Sequence, residues 1–202
     1  MIISHKHRYV CIDIPKSGST SINHVLLPHT CVDDIYSVDP KWVKKYNIEV
    51  KAELNQDIYR HATIAEILSF EPKLKDYFVF GFVRNPFSRM VSYYKFKQQL
   101  AIKKISNKVN LNEWVKNNKI KSQYEYINTP HVINNIYIGR FENLQHDFNI
   151  ICSKIGIPYQ QLPRDMKTSH KHYTEYYDDE TRQIVAERYA KDIEYFGYKF
   201  GE

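Results

Sequence analysis

Cysteine is scarce. The 202 residues hold three, Cys11, Cys31 and Cys152, and no Cys-x-x-Cys pair. An odd number at wide spacing excludes a disulfide framework of the kind that staples small secreted domains. Cys11 falls in an apolar run and Cys152 in a helical stretch, so they read as buried free thiols in a reducing compartment. No apolar run approaches the ~20 residues that a membrane-crossing helix requires. Met1 to Arg8 is polar and rich in His and Lys, without the apolar centre of a signal peptide. The expectation is a soluble, cytoplasmic protein with no membrane anchor. Internal repeats, low-complexity tracts and linkers are also absent, which suits one domain over residues 1–202. A further absence bears on chemistry: the pattern Gly-x-x-x-x-Gly-Lys-[Ser/Thr] of P-loop nucleotidases does not occur. Nor does an acidic residue follow a strand where a magnesium-holding Asp would sit; Val79–Val83 runs into Arg84 instead. Phosphoryl transfer needs a metal to neutralise the transferred group, and no metal site is expected here.

Positive charge, hydroxyls and tyrosine are what the chain does have. Lys and Arg number 29 against 23 Asp and Glu, for a formal net charge of +6 and a pI near 9.0. The excess favours an anionic ligand: nucleotide, nucleic acid, acidic glycan or membrane surface. The basic residues are scattered in short clusters such as Lys41-Lys44-Lys45 and Lys103-Lys104, which is ordinary for solvated faces. The 17 tyrosines read chiefly as half-buried packing residues with a polar tip.

The chain is organised around Ile12-Asp13-Ile14-Pro15-Lys16-Ser17-Gly18-Ser19-Thr20-Ser21. An apolar run from Tyr9 to Ile14 ends at a proline, and Ser19–Leu27 reads as helix, stopped by Pro28. A strand, a tight loop and a helix start aim backbone N–H groups at one spot, and the helix dipole adds partial positive charge. Gly18 permits close approach. Ser17, Ser19, Thr20 and Ser21 offer hydroxyls and Lys16 a full charge. The loop is suited to phosphate or sulfate; the plainer alternative is a strand-to-helix turn with a serine cap.

Further along, Cys31–Val38 is a candidate short strand, and Pro40–Glu53 is a charged helix or crossover anchored by Trp42 and Val43. Thr63 and Glu66 have capping-box spacing, so a helix starts at Thr63 with His61 in the loop before it, solvent-reachable and aimed outward. The helix dipole there disfavours a protonated imidazole. Tyr77–Val83 is almost entirely apolar, a central strand buried on both faces. It runs into Arg84-Asn85-Pro86, where Pro86 opens a helix that reaches about Ala101. Ile102–Leu111 reads as a loop, Leu111–Asn117 as a short helix around Trp114, and Gln123–Pro130 as irregular. Asn135–Phe141 is a further strand, followed by a helix capped by Asn143 and ended at Gly156. Tyr159–His172 is a polar, basic loop. A last helix starts at Asp178 or Asp179, with Ile184, Val185, Tyr189 and Ile193 at helical spacing, and an aromatic tail, Tyr195–Phe200, folds back on the core. Strands alternating with helices give an α/β protein with a central, mainly parallel sheet flanked by helices. Ligands of such sheets bind outside the carboxyl ends of the strands, from which the Lys16 loop, Arg84 and the Phe141–Asn143 turn emerge.

These residues together resemble the nucleotide-dependent sulfotransferases, most nearly the carbohydrate branch of heparan and uronyl 2-O-sulfotransferases and their bacterial relatives. The resemblance covers nearly the whole chain and implies a P-loop-like three-layer fold. Pro15–Ser21 is similar to the family's loop for the 5′-phosphosulfate end of the donor, 3′-phosphoadenosine-5′-phosphosulfate (PAPS). Phe82–Tyr94 is similar to its loop and helix for the 3′-phosphate, in which Arg84 and Ser92 take the place of the phosphate-holding arginine and serine. Gly139-Arg140-Phe141-Glu142-Asn143-Leu144, Tyr189–Ile193 and Phe196-Gly197-Tyr198 also match family landmarks. Lys16 then neutralises charge growing on the bridging oxygen as the sulfuryl group leaves. The resemblance also places a histidine before the second motif, making His61 the general base for a hydroxyl acceptor, a sugar or small metabolite. His131, His170 and His172 are weaker candidates. In the basic stretch from Arg164 to His172, Lys167 and Ser169 are candidate contacts to donor or acceptor, against the alternative of a solvated loop. Two departures stand out: the chain is short and anchorless beside animal Golgi members, and the segment from Leu100 to Pro130 carries no recognisable acceptor signature. Two other classes remain as alternatives, a nucleotide kinase of related fold and a basic single-strand nucleic-acid binder. The missing metal acid weighs against the first. Against the second, the aromatics fall in core-like periodic positions, so no nucleic-acid partner is expected.

Overall fold

The structure, a computed structural model, describes residues 1–55, 60–101, 110–131, 133, 135–163 and 171–202. In chain order its elements are β1 (Ile2–Ser4), β2 (Tyr9–Cys11), α1 (Ser19–Leu26), β3 (Ile35–Tyr36), α2 (Pro40–Lys45), β4 (Glu53–Leu54), α3 (Ile64–Phe70), β5 (Phe78–Val83), α4 (Pro86–Ala101), α5 (Leu111–Asn117), α6 (Tyr124–Ile127), β6 (Ile136–Arg140), α7 (Leu144–Ile155), α8 (Asp179–Arg188) and α9 (Ala190–Phe196). The described chain divides into two compact units, Met1–Val83 with Tyr126–Met166, and Arg84–Glu125 with Lys167–Glu202.

All the described strands lie in the first unit, in the order β4-β3-β1-β2-β5-β6. β2, β5 and β6 run parallel, as do β3 and β4, while β1 is antiparallel to both of its neighbours. The α/β class and the central sheet agree with the sequence. The antiparallel strand does not, because Met1–Arg8 reads as a polar start. Three apolar residues flanked by His and Lys are too short to show a period, yet Met1, Ile2 and Ile3 are fully buried and Arg8 turns the chain in the left-handed region (φ 52°). β5 is buried along its whole length, the pattern of a strand covered on both faces. Phe78, Phe80 and Phe82 join Ile22 and Leu26 of α1 and Phe148 and Ile151 of α7 in one apolar core. Burial pushes the Cys11 thiol up to about 12, and Cys11 and Cys152 are free thiols inside this core. In the 40–53 stretch, Asp39 caps α2 by accepting from Lys41 N, and Trp42 and Val43 pack against the same core. α7 ends at Gly156 as expected, but Asn143 makes no side-chain cap; a 3-10 turn, Phe141–Asn143, leads into the helix instead.

The second unit is helical in its described residues. α4, α5 and α8 share an apolar core that includes Met90, Val91, Val115, Val185 and Tyr189. The last helix is broken in two at Tyr189 (φ −114°), although Val185, Tyr189 and Ile193 all pack on that core as their spacing required. The tail folds back, with Phe200 edge-on to Phe87 at 4.9 Å. The Gln123–Pro130 stretch is not wholly irregular, since it contains α6. Of the loop expected over 102–111, residues 102–109 lie outside the described residues, and Asn110 and Leu111 are the cap and first residue of α5.

Candidate active site

The first unit carries a cradle of main-chain N–H groups between β2 and α1. Beyond β2, Ile12 N still donates to Phe80 O at 2.8 Å, after which the chain leaves the sheet through Asp13, Ile14 and Pro15. Lys16 (φ 69°) and Gly18 (φ 94°) are both left-handed. For a lysine this conformation is costly and is retained where surrounding structure imposes it. Gly18 is the N-cap of α1 and provides no side-chain bond, while Ser21 N and Ile22 N both donate to Gly18 O. The four consecutive N–H groups of Ser17, Gly18, Ser19 and Thr20 therefore have no acceptor among the described residues. They combine with the α1 dipole to favour a bound anion.

The hydroxyls are less available than the sequence suggests. Ser17 Oγ donates to Ile14 O at 2.6 Å and Ser21 Oγ to Pro163 O at 2.9 Å. The Ser19 hydroxyl favours the charged form of Asp13. Thr20 alone of the four makes no bond to the described residues; Ser17 and Ser21 brace the loop, and of these two only Ser17 presents its main-chain N–H. Behind the loop stand Leu144 and Phe141. A Cβ on Gly18 would come within 3.0 Å of Leu144 Cδ1 and 3.3 Å of Phe141 Cδ2. The Gly139–Leu144 stretch thus forms the back wall of the cradle. Gly139 itself admits the Phe82 ring, which a Cβ would meet at 2.5 Å.

His61 lies in the same unit but does not point outward as expected. Its side chain is 21% exposed, and Nδ1 sits 2.7 Å from the main-chain oxygen of Asp13. A carbonyl oxygen only accepts, so Nδ1 carries the proton and Nε2 holds the lone pair. Thr63 and Glu66 form the full capping box that holds α3 behind it. Burial is the main influence on His61 and lowers its pKa, with the Asp13 charge and carbonyl opposing. The direction is the one anticipated; the cause is desolvation rather than the helix dipole. Asp13 is 1% exposed. Burial alone would push its carboxyl up, but the Met1 ammonium, Arg60 and His61 outweigh that and hold it well below the usual carboxylate range. Arg60 Nε donates to Asp13 Oδ2 at 2.8 Å. Nothing in the sequence pattern singled out Asp13 or Arg60, since their pairing spans 47 positions.

In the second unit, Arg84 is buried and held from several directions. Its N–H donates to Gln123 Oε1 and its carbonyl accepts from Gln123 Nε2, both at 2.8 Å. Gln123 is in turn fixed by the buried Asp192, which accepts from Gln123 N and Tyr124 N at 2.9 Å and from the Ser122 hydroxyl. The Arg84 guanidinium is aimed by Ser88, whose Oγ accepts from Nε at 2.9 Å. Ser92 is half-buried, makes no bond to the described residues, and lies one turn beyond Ser88 on the same face of α4. Asn85 ties the turn down by donating to Lys199 O at 2.8 Å and accepting from Phe87 N. The landmark around Tyr189–Ile193 therefore serves Arg84 through Asp192. Ser88 and Gln123 were not singled out in the sequence, and Asp192 was placed only within a family landmark, without a role. Only the Arg84–Ser88 spacing, one helical turn, offered a signal.

The remaining candidates divide simply. Ser169, Lys167, Arg164 and His170 lie outside the described residues. His131 and His172 are exposed, and His172 Nδ1 is 2.7 Å from Thr174 Oγ1. Trp114 packs against Tyr93 and Tyr94 with ring centroids 5.3 and 5.6 Å away. Among the described residues no group of His, Cys, Asp and Glu is placed to hold a metal ion, and no helix is long and apolar enough to cross a membrane.

An uncapped helix start preceded by a lysine-bearing loop stands at the end of a strand of an α/β sheet. The Sulfotransferase family model matches residues 1–199, and the chain belongs to that family, a class of enzymes that takes its sulfuryl group from PAPS. The fold is shared with mouse sulfotransferase SULT7A1, crystallised with PAP; the two are 12% identical, with a TM-score of 0.60 over 94% of this chain and 86% of that one. An uncharacterized protein of Archaeoglobus fulgidus is 35% identical over 92 residues, 41% of this chain and 70% of its own length.

Proposed function

We propose that the chain transfers a sulfuryl group in line from PAPS to the hydroxyl of a sugar or small metabolite, with His61 as general base. The four N–H groups from Ser17 to Thr20, unpaired among the described residues, carry this reading. They suit the 5′-phosphate of the donor, whose affinity for a helix start needs no metal. Lys16 supplies the one full charge of the loop and meets the negative charge that develops on the bridging oxygen as its bond to sulfur breaks. His61 Nε2 accepts the proton of the acceptor hydroxyl while that oxygen bonds to sulfur. The Arg84 guanidinium, oriented by Ser88, offers a fork of donors for the 3′-phosphate, and the Ser92 hydroxyl adds another. The resemblance to uronyl 2-O-sulfotransferases favours a carbohydrate acceptor.

Two measurements test this. Adenosine 3′,5′-bisphosphate should bind without magnesium, which separates the reading from a kinase. His61→Ala should lower turnover by roughly two to four orders of magnitude while donor affinity stays nearly intact. Near-normal turnover in that variant removes His61 as the base. A screen of glycans and small alcohols with labelled donor identifies the acceptor.

A further inference from the structure

Asp13 holds an oxygen that the resting structure leaves unexplained. Oδ2 accepts from Arg60 Nε at 2.8 Å and stands 3.5 Å from Asn23 Nδ2 and 3.6 Å from the Met1 ammonium. Oδ1 is buried and accepts no hydrogen bond within 3.5 Å; the Ser19 hydroxyl also favours the Asp13 charge, and His61 Nδ1 lies 3.6 Å from Oδ1. A buried carboxylate oxygen without a donor is rare, and such groups collect where function requires them. The same His61 N–H is committed, at 2.7 Å, to the main-chain oxygen of the same residue. Asp13 therefore faces the ring twice, through a carbonyl that is satisfied and a carboxylate oxygen that is not.

We infer that Asp13 is a positioning residue for sulfuryl transfer: its carbonyl fixes the His61 tautomer, and its orphaned Oδ1 stabilises the imidazolium formed when Nε2 takes the acceptor's proton. In the neutral ring a single Nδ1–H serves the carbonyl. Once the ring is cationic, that N–H lies between two oxygens of one residue, and the new charge forms beside an anion already in place. No reorganisation of water is required, because Asp13 is sealed from solvent. The placement also explains why the base and the cradle stay in register. Asp13 stands three positions before Lys16 on the same rigid exit from β2, so one residue sets both.

The inference rests on His61 being the base, and the experiment separates the two. The groups acting on His61 are the Asp13 carboxylate, the Arg60 guanidinium and the Met1 ammonium. Asp13→Asn keeps the main-chain carbonyl and the side-chain shape but removes the charge. The acid limb of the kcat/KM profile reports protonation of the free base. Without Asp13's charge the ring protonates less readily, so the limb moves about one pH unit lower. The plateau kcat falls about tenfold or more, and affinity for adenosine 3′,5′-bisphosphate is unchanged. If Asp13→Asn alone fails to fold, the double variant Asp13→Asn with Arg60→Gln removes both charges together. It is compared with Arg60→Gln, and the same downward displacement and loss of kcat are expected. An unmoved limb and an unchanged plateau, with His61→Ala inactive, overturn the role of Asp13 and leave the base in place. Full turnover by His61→Ala overturns the base, and this inference with it.

Discussion

The two units present their positively polarised groups in different ways. The first unit contains 13 Lys or Arg and 13 Asp or Glu; the second contains 16 and 10. The whole excess of positive charge belongs to the second unit, and ten of its cationic residues against two acidic ones fall between Arg84 and Glu125. The neutral unit builds its cradle from main-chain N–H groups, one lysine and a sheet that fixes them. The charged unit, with no strand among its described residues, presents an arginine fork clamped by Gln123 and Asp192. Its core is braced by tyrosine hydroxyls: Tyr189 OH accepts from Ile120 N and donates to Ile120 O, and Tyr177 OH donates to Phe87 O. Oriented dipoles act at short range with little reorganisation, which suits the stabilisation of charge that appears only during bond breaking. Formal charges act over about a Debye length and attract a charged ligand before it arrives. The contrast predicts that substitutions in the first unit alter rate and those in the second alter grip.

Lys16→Asn is the most severe way to break that contrast. Asn tolerates the left-handed conformation better than Lys, so the melting temperature should hold or rise while kcat drops about 10²- to 10³-fold. An equal loss in affinity for adenosine 3′,5′-bisphosphate would put Lys16 in ground-state binding instead. Arg84→Lys keeps the charge and loses the fork. Calorimetry should show affinity for the bisphosphate falling about 10- to 100-fold, with adenosine 5′-phosphate unaffected and kcat at saturating donor close to normal. A smaller effect of the same kind is expected from Gln123→Ala, about tenfold on the bisphosphate alone; parallel losses for both nucleotides would mean that Gln123 supports the unit generally. Gly139→Ala, by pressing a methyl group on the Phe82 ring, should destabilise the first unit by about 1–3 kcal/mol. Tyr189→Phe should cost about 1–2 kcal/mol in denaturant unfolding and leave kcat unchanged.

Much of the scaffold was legible because its causes are local. The apolar run of β5, the Thr63–Glu66 box and the Gly156 stop each depend on residues within one turn or one strand, and all three stand where their spacing put them. The pairing of Arg84 with Ser92 came from the family resemblance, because a serine on a helix surface carries no local signal of its own. β1 was not legible, since three residues show no period. The break at Tyr189 was hidden because the helical spacing of the core face continues through it. Two of the serine hydroxyls were misread, as nothing local reveals that Ser17 and Ser21 would turn to the carbonyls of Ile14 and Pro163.

From its sequence alone this protein is an α/β chain with a lysine-bearing loop at a helix start and, further on, a helix that follows an arginine at a strand end. Those features arise from backbone geometry and side-chain chemistry within a few residues. Tertiary structure decided which groups are spent and which are open. It turned His61 onto Asp13 across 48 positions, left Asp13 Oδ1 buried without a donor, and drew Gln123 and Asp192 to Arg84 from 39 and 108 positions away. Pairings of that length are set by which strands and helices pack together, and no pattern along the chain encodes them.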